Sequence, residues 1–164
     1  MRAGAFWATF ALVMFAANGL ILQKDHVTRS GRTVLLRLAP RDPRSLMQGD
    51  YMVLRYEIAG KVPEEDLRRD PDGRIVVRLD RDSVATFVRV HRGGPLAPDE
   101  QLLRYRYRGG LRIGAESFFF QEGHADHYAR ARYGELKVAS GGQSVLVGLR
   151  GEDFWLLGPP GQQE

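Results

Sequence analysis

The chain has 164 residues, no cysteine and a formal net charge of +4. That length suits one domain with a short appendage, large enough to hold a core without a metal or a disulfide. The missing cysteines exclude disulfide scaffolds, zinc–thiolate sites and thiol nucleophiles. The cations are 21 Arg and 3 Lys, interspersed with 20 acidic residues. That mixture argues against a nucleic-acid partner.

Twenty uncharged residues run from Ala3 to Leu22. As a helix they extend about 30 Å, the thickness of a bilayer's hydrocarbon core. The segment is apolar on every face, unlike an amphipathic surface helix. Residues 1–24 therefore read as an N-terminal transmembrane anchor, with membrane lipid the expected partner of residues 3–22. A cleaved signal sequence is the alternative, although its candidate site, Ala17-Asn18-Gly19, is poor. Lys24, Arg29 and Arg32 follow the segment while only Arg2 precedes it, which by charge favours a cytoplasmic domain.

Residues 25–158 then read as one domain of short alternating strands, and residues 159–164 as a flexible tail. Thr33–Leu38 is a strand. In Tyr51–Ile58, Met52, Leu54, Tyr56 and Ile58 share one face, and Tyr51, Val53, Arg55 and Glu57 the other. Pro71-Asp72-Gly73 turns the chain into a hairpin of Arg74–Leu79 and Ser83–Val90. Leu102–Arg108 sets Leu103, Tyr105 and Tyr107 against Arg104, Arg106 and Arg108. Leu111–Ile113 and Ser117–Gln121 follow, the latter as a buried strand. His124–Tyr133 is the helical candidate, rich in alanine. Glu135–Ala139 and Val145–Leu149 close the pattern around Gly141-Gly142. About eight short strands predict a mostly β fold, an antiparallel sandwich or barrel with one short helix, preceded by the transmembrane helix.

Gly49-Asp50-Tyr51-Met52-Val53-Leu54-Arg55-Tyr56 matches without departure the signature of the GDYXXLXY protein family. Two flanking blocks carry the same resemblance. One is Pro40, Asp42, Pro43, Arg44 and Ser45. The other is Gly114, Glu116, Phe118, Phe119, Glu122 and Gly123, where Phe118 and Gln121 depart from the pattern. The resemblance implies a bacterial envelope protein with an N-terminal membrane segment, beside a multi-spanning membrane protein, with no established activity. It places the domain outside the cytoplasm, against the charge count. The site it implies is Asp42, Arg44, Gly49, Asp50, Tyr51, Leu54, Tyr56, Glu116 and Glu122.

Within that motif Gly49 permits a positive φ at the turn, Asp50 caps it, and Leu54 and Tyr56 face the core. The alternative is a binding surface formed by Asp50 and Tyr51 with Asp42 and Arg44. Leu46-x-x-Gly49-Asp50, with Ser45, resembles the end of the catalytic box of signal peptidase I enzymes. The nucleophile position there is Arg41, however, and neither Lys61 nor Lys137 has the neighbours of a catalytic base. His124-Ala125-Asp126-His127, with Glu122, is the local metal candidate, weighed against a simple helix start. No metal and no cofactor is expected. The Arg104-Arg106-Arg108 row is a solvated strand face or a binder of phosphate groups, without the interleaved aromatics of a single-strand nucleic-acid binder.

The function expected is a non-catalytic accessory or binding domain, held extracytoplasmically at the cytoplasmic membrane by a single-pass anchor and working with an integral membrane protein. Two alternatives remain: an envelope hydrolase on a degenerate signal-peptidase-like β fold, and a binder of anionic lipid or envelope polymer.

Overall fold

A computed structural model describes residues 6, 7, 9–15, 19, 27–40 and 51–158. In chain order its elements are β1 (Arg32–Arg37), β2 (Tyr51–Val53), a 3₁₀ turn (Glu57–Lys61), α1 (Glu64–Arg69), β3 (Arg74–Leu79), β4 (Ala85–Val90), β5 (Glu100–Tyr107), β6 (Leu111–Ile113), β7 (Ser117–Phe119), α2 (Ala125–Tyr128), β8 (Tyr133–Val138) and β9 (Ser144–Arg150).

The strands divide into three antiparallel sheets, ordered β1-β8-β9, β2-β7 and β4-β3-β5-β6. No sheet closes on itself, which corrects the expected sandwich or barrel. The chain is β-rich with short helices. The hairpins formed where turn residues separate alternating runs, but the longer pairings, β1 with β8 and β2 with β7, join segments far apart in sequence. One hydrophobic cluster draws on all three sheets: Val34 and Leu36, Met52, Ile75 and Val77, Leu103, Leu136 and Leu149 are buried together.

Backbone links tie the sheets. The Leu35 amide donates to the Ser83 carbonyl at 2.8 Å, and the Arg104 amide to the Gly142 carbonyl at 2.8 Å. Gly142 has φ +89°, and a Cβ there would lie 3.0 Å from the Arg104 amide nitrogen. Both facts require glycine at that turn.

The apolar N-terminal stretch is helical at residues 6, 7 and 9–15. Its large side chains there, Phe6 to Phe15, are 47–80 % exposed. Among the described residues no helix is long and apolar enough to cross a membrane. The spanning anchor is corrected accordingly. So are the conclusions resting on it: the single-pass address at the cytoplasmic membrane, the extracytoplasmic or periplasmic placement, and the lipid and integral-membrane partners. A count of apolar residues sets only the length available; spanning requires one helix of about 20 residues, and no described helix reaches that.

Two further expectations change. The strand expected over Tyr51–Ile58 ends at Val53 and turns into the 3₁₀ segment. The helix expected over His124–Tyr133 is one turn, because Tyr133 is recruited to β8 opposite Arg37.

At one end of β5, the Glu100 carboxylate accepts from Arg89 at 2.7 and 3.0 Å and from the Ala97 amide at 3.2 Å. These bonds, Arg89's first, hold its carboxyl below the usual range. A carboxyl whose folded pKa lies below its unfolded value adds stability above the unfolded pKa, and loses it as pH falls through the folded one. The urea midpoint of the wild type is expected to exceed that of Glu100→Gln clearly at pH 7, with the gap closing below the ordinary glutamate range. A gap independent of pH assigns the difference to packing.

Candidate functional site

The signature strand is built from its register. In β2, Met52 faces Phe118 of β7 on the core side, while Tyr51 and Val53 face outward opposite Phe119 and Ser117. The ladder continues as the Leu54 amide donates to the Glu116 carbonyl at 2.7 Å. Met52, Leu54, Tyr56 and Ile58 are all buried, although only the first lies in a strand. Alternation therefore outlasts the strand itself.

Leu54 and Tyr56 are core residues. The Tyr56 hydroxyl donates to the Ala115 carbonyl at 3.1 Å, and burial pushes the phenol well above its ordinary pKa. Glu116 pairs with Arg112 at 3.2 Å. Glu122 is exposed in the turn before α2, with no ion pair among the described residues. Tyr51 is 37 % exposed, and its ring lies 5.8 Å from that of Phe119, itself 75 % exposed. The run Ser117–Gln121 is thus not a buried strand, because only one face of β7 has a partner layer. Asp42, Arg44, Gly49 and Asp50 lie outside the described residues, as do Arg41 and Ser45.

Among the described residues the catalytic and metal candidates do not assemble. Lys61 binds Glu57 at 2.8 Å and Lys137 donates to the Thr33 hydroxyl at 2.8 Å. Neither is a desolvated base beside a nucleophile. His127 Nε2 lies 2.9 Å from the Gly158 carbonyl oxygen and its Nδ1 3.3 Å from Arg130. Among the described residues no three His, Asp or Glu side chains converge as a metal site. These placements correct the envelope-hydrolase alternative.

What does converge is a cleft of about 570 Å³ where β1 ends. Its floor is Leu38, Met52, Tyr128 and Ala131, all buried. Its rim carries Arg37 and Arg132 beside Glu152, and Glu57. Arg37 is fixed by a hydrogen bond to the Tyr133 hydroxyl at 2.7 Å and lies 4.9 Å above that ring. Arg37 and Arg132 share Glu152 at 3.9 and 3.7 Å. These are contacts beyond hydrogen-bond length, to a carboxylate 69 % exposed. Glu57 is held below the usual carboxylate range, chiefly by its hydrogen bond to Lys61. It is therefore a poor proton donor at neutral pH. Among the described residues the lining contains no Ser, Thr, His or Lys.

Pro40 and Met52, on either side of residues 41–50 in the sequence, both line this cleft. Sequence reasoning missed Arg37, Tyr128, Arg132 and Glu152. They come from three separate segments, and no local spacing signals them.

The fold and the cleft define a small, antiparallel β-rich protein with a preformed amphipathic hollow beside its most specific motif. The chain belongs to the GDYXXLXY protein family, whose family model matches residues 13–149. Comparison with curated proteins and with solved structures finds no match.

Proposed function

We propose that this domain is a binding module, and that its ligand is a small molecule with an apolar body and a carboxylate, held in the cleft between β1 and α2. The observation that carries this reading is the pair Arg37 and Arg132 above an apolar floor. Their shared counterion is loosely held and exposed. A ligand carboxylate replacing Glu152 would gain charge-assisted hydrogen bonds that Glu152 does not make. The volume falls within the range of small-ligand pockets, and apolar burial supplies the rest of the affinity. In this reading Asp42, Arg44 and Asp50 of the signature stretch contribute to ligand binding.

Titration calorimetry with octanoate and phenylpropionate, each against its neutral amide, tests this. The carboxylates are expected to bind about tenfold more tightly than the amides, one charge-assisted contact being worth roughly that factor. Arg132→Gln should remove the difference, and Glu152→Gln should tighten binding by freeing both guanidinium groups. Asp50→Asn should weaken binding without lowering the melting temperature, whereas Tyr51→Ala, on the outer face of β2, should leave binding unchanged. Equal affinity for acid and amide, or no binding by either, ends the proposal.

A further inference from the structure

We propose a second, separate site: an arginine cradle on the outer face of β3, β5 and β6 that binds a polyvalent oxyanion of the phosphate class in solution. Arg104 and Arg106 alternate along β5, and Arg108 follows just past its end. Register adds two more. Arg74 of β3 lies directly opposite Arg104, and Arg112 of β6 directly opposite Arg106. Like charges directly opposed across an antiparallel pair destabilise a sheet. Two such pairs sit side by side on one face here.

The local counter-charge is too small to make this a structural network. Asp72 reaches Arg106 at 3.2 Å and Arg108 at 3.8 Å, and Glu116 reaches Arg112 at 3.2 Å. Arg74 donates to the Gly141 carbonyl at 3.1 Å. Arg104 has no carboxylate partner among the described residues. Where the fold uses arginine structurally, it pairs it closely: Arg89 grips Glu100 with two hydrogen bonds, and Arg150 grips Glu135 at 2.7 Å. A local conflict only partly compensated, and not at all between Arg74 and Arg104, marks a face kept for something other than stability.

The geometry selects the ligand. Arg104, Arg106, Arg108 and Arg112 line a hollow of about 810 Å³, joined by the hydroxyls of Ser117 and Ser144. Guanidinium groups present paired donors matched to phosphate oxygens, and hydroxyls add neutral donors. Tyr105 also borders the hollow but is 1 % exposed, and Tyr107 packs against the core, so neither ring offers a surface on which a base would stack. The match is to the oxyanion itself, and its spread over four arginines favours several linked phosphates over one.

Calorimetry of the full chain at low salt with sulfate, orthophosphate, pyrophosphate and tripolyphosphate tests the cradle. Affinity is expected to climb with valence, with tripolyphosphate bound one to one and weakened steeply by added salt. Arg104→Gln and Arg112→Gln should each weaken tripolyphosphate about tenfold, whereas Arg81→Gln, in the β3–β4 turn, should leave it unchanged. A second readout is stability without ligand. Arg104→Thr should raise Tm by about 2 °C, because it relieves the clash with Arg74. No binding of tripolyphosphate, no dependence on valence, or an equal loss in Arg81→Gln and Arg104→Gln overturns the proposal. The carboxylate cleft is unaffected by any of these results, since it shares no residue with the cradle.

Discussion

Replacing Tyr56 with alanine is expected to cost the fold about 4 kcal/mol, the loss typical of a fully packed aromatic side chain. The ring lies where three parts of the chain meet. Tyr56 bridges Leu38 at the end of β1, and the neighbouring Ala39 amide donates to the Arg55 carbonyl at 2.8 Å. On β8, Gly134 leaves room for the ring: a Cβ there would lie 3.0 Å from Tyr56 Cε1. The hydroxyl reaches Ala115, just before the residue whose carbonyl continues the β2–β7 ladder. Tyr56→Phe keeps the ring and leaves one carbonyl without its donor, at a cost of about 1 kcal/mol. Urea denaturation with a fixed slope checks both values. If alanine left the midpoint unchanged, the last position of the signature would be a ligand contact and not a clamp. The same experiment bears on Leu54, which is buried in the same cluster. The signature therefore has two halves. Leu54 and Tyr56 hold β2 in place, and Tyr51 on the other side of the strand is exposed.

That division was half legible in the sequence. Alternation correctly put Met52, Leu54, Tyr56 and Ile58 inside and set Leu103 and Tyr105 against the arginine row, because side-chain direction depends only on local extension. What alternation does not carry is pairing. Nothing in Tyr51–Val53 specifies β7 as its neighbour, or shows that the pair stands as a two-stranded ribbon whose outer face leaves Phe119 exposed. Three consecutive phenylalanines look buried on both sides until the missing layer is seen. The arginine row was visible as a spacing of two, but its doubling by Arg74 and Arg112 follows from strand register alone. The cleft was not legible at all, since its two arginines and Glu152 converge only through the β1–β8–β9 sheet. At the N-terminus, composition gave a stretch of the right length for a bilayer, and the described helix is too short for one.

Arg150→Met is expected to destabilise the protein by about 2 kcal/mol, less than breaking a fully buried ion pair because the Arg150 side chain is 28 % exposed. Glu135 and Arg150 lie on the outer face of the β8–β9 pair, opposite the main core, and the Glu135 side chain is 10 % exposed. Arg150 donates to Glu135 at 2.7 Å and, through Nη1, to the Phe154 carbonyl at 2.6 Å. It thereby pins the turn after β9. Phe154 holds a φ of +63°, a conformation costly for a side chain of its size. Its ring, 5.0 Å from that of Tyr133, covers a residue otherwise open on that side of the sheet. Tyr133 in turn carries Arg37, one of the two cations of the cleft. The ion pair thus reaches the proposed binding site through two packed rings. Methionine preserves the bulk of arginine but leaves the Glu135 carboxylate buried without its cation and releases the Phe154 turn. The double variant Glu135→Leu/Arg150→Met should recover most of the loss, because two apolar residues replace the pair without a stranded charge. Denaturation of the three variants gives the coupling energy directly. Amide exchange at 151–157 should accelerate in Arg150→Met and stay fast in the double variant, since neither can hold the Phe154 carbonyl. Additive losses in the two single variants would show that the pair contributes no specific interaction, and that the turn is held by its own packing.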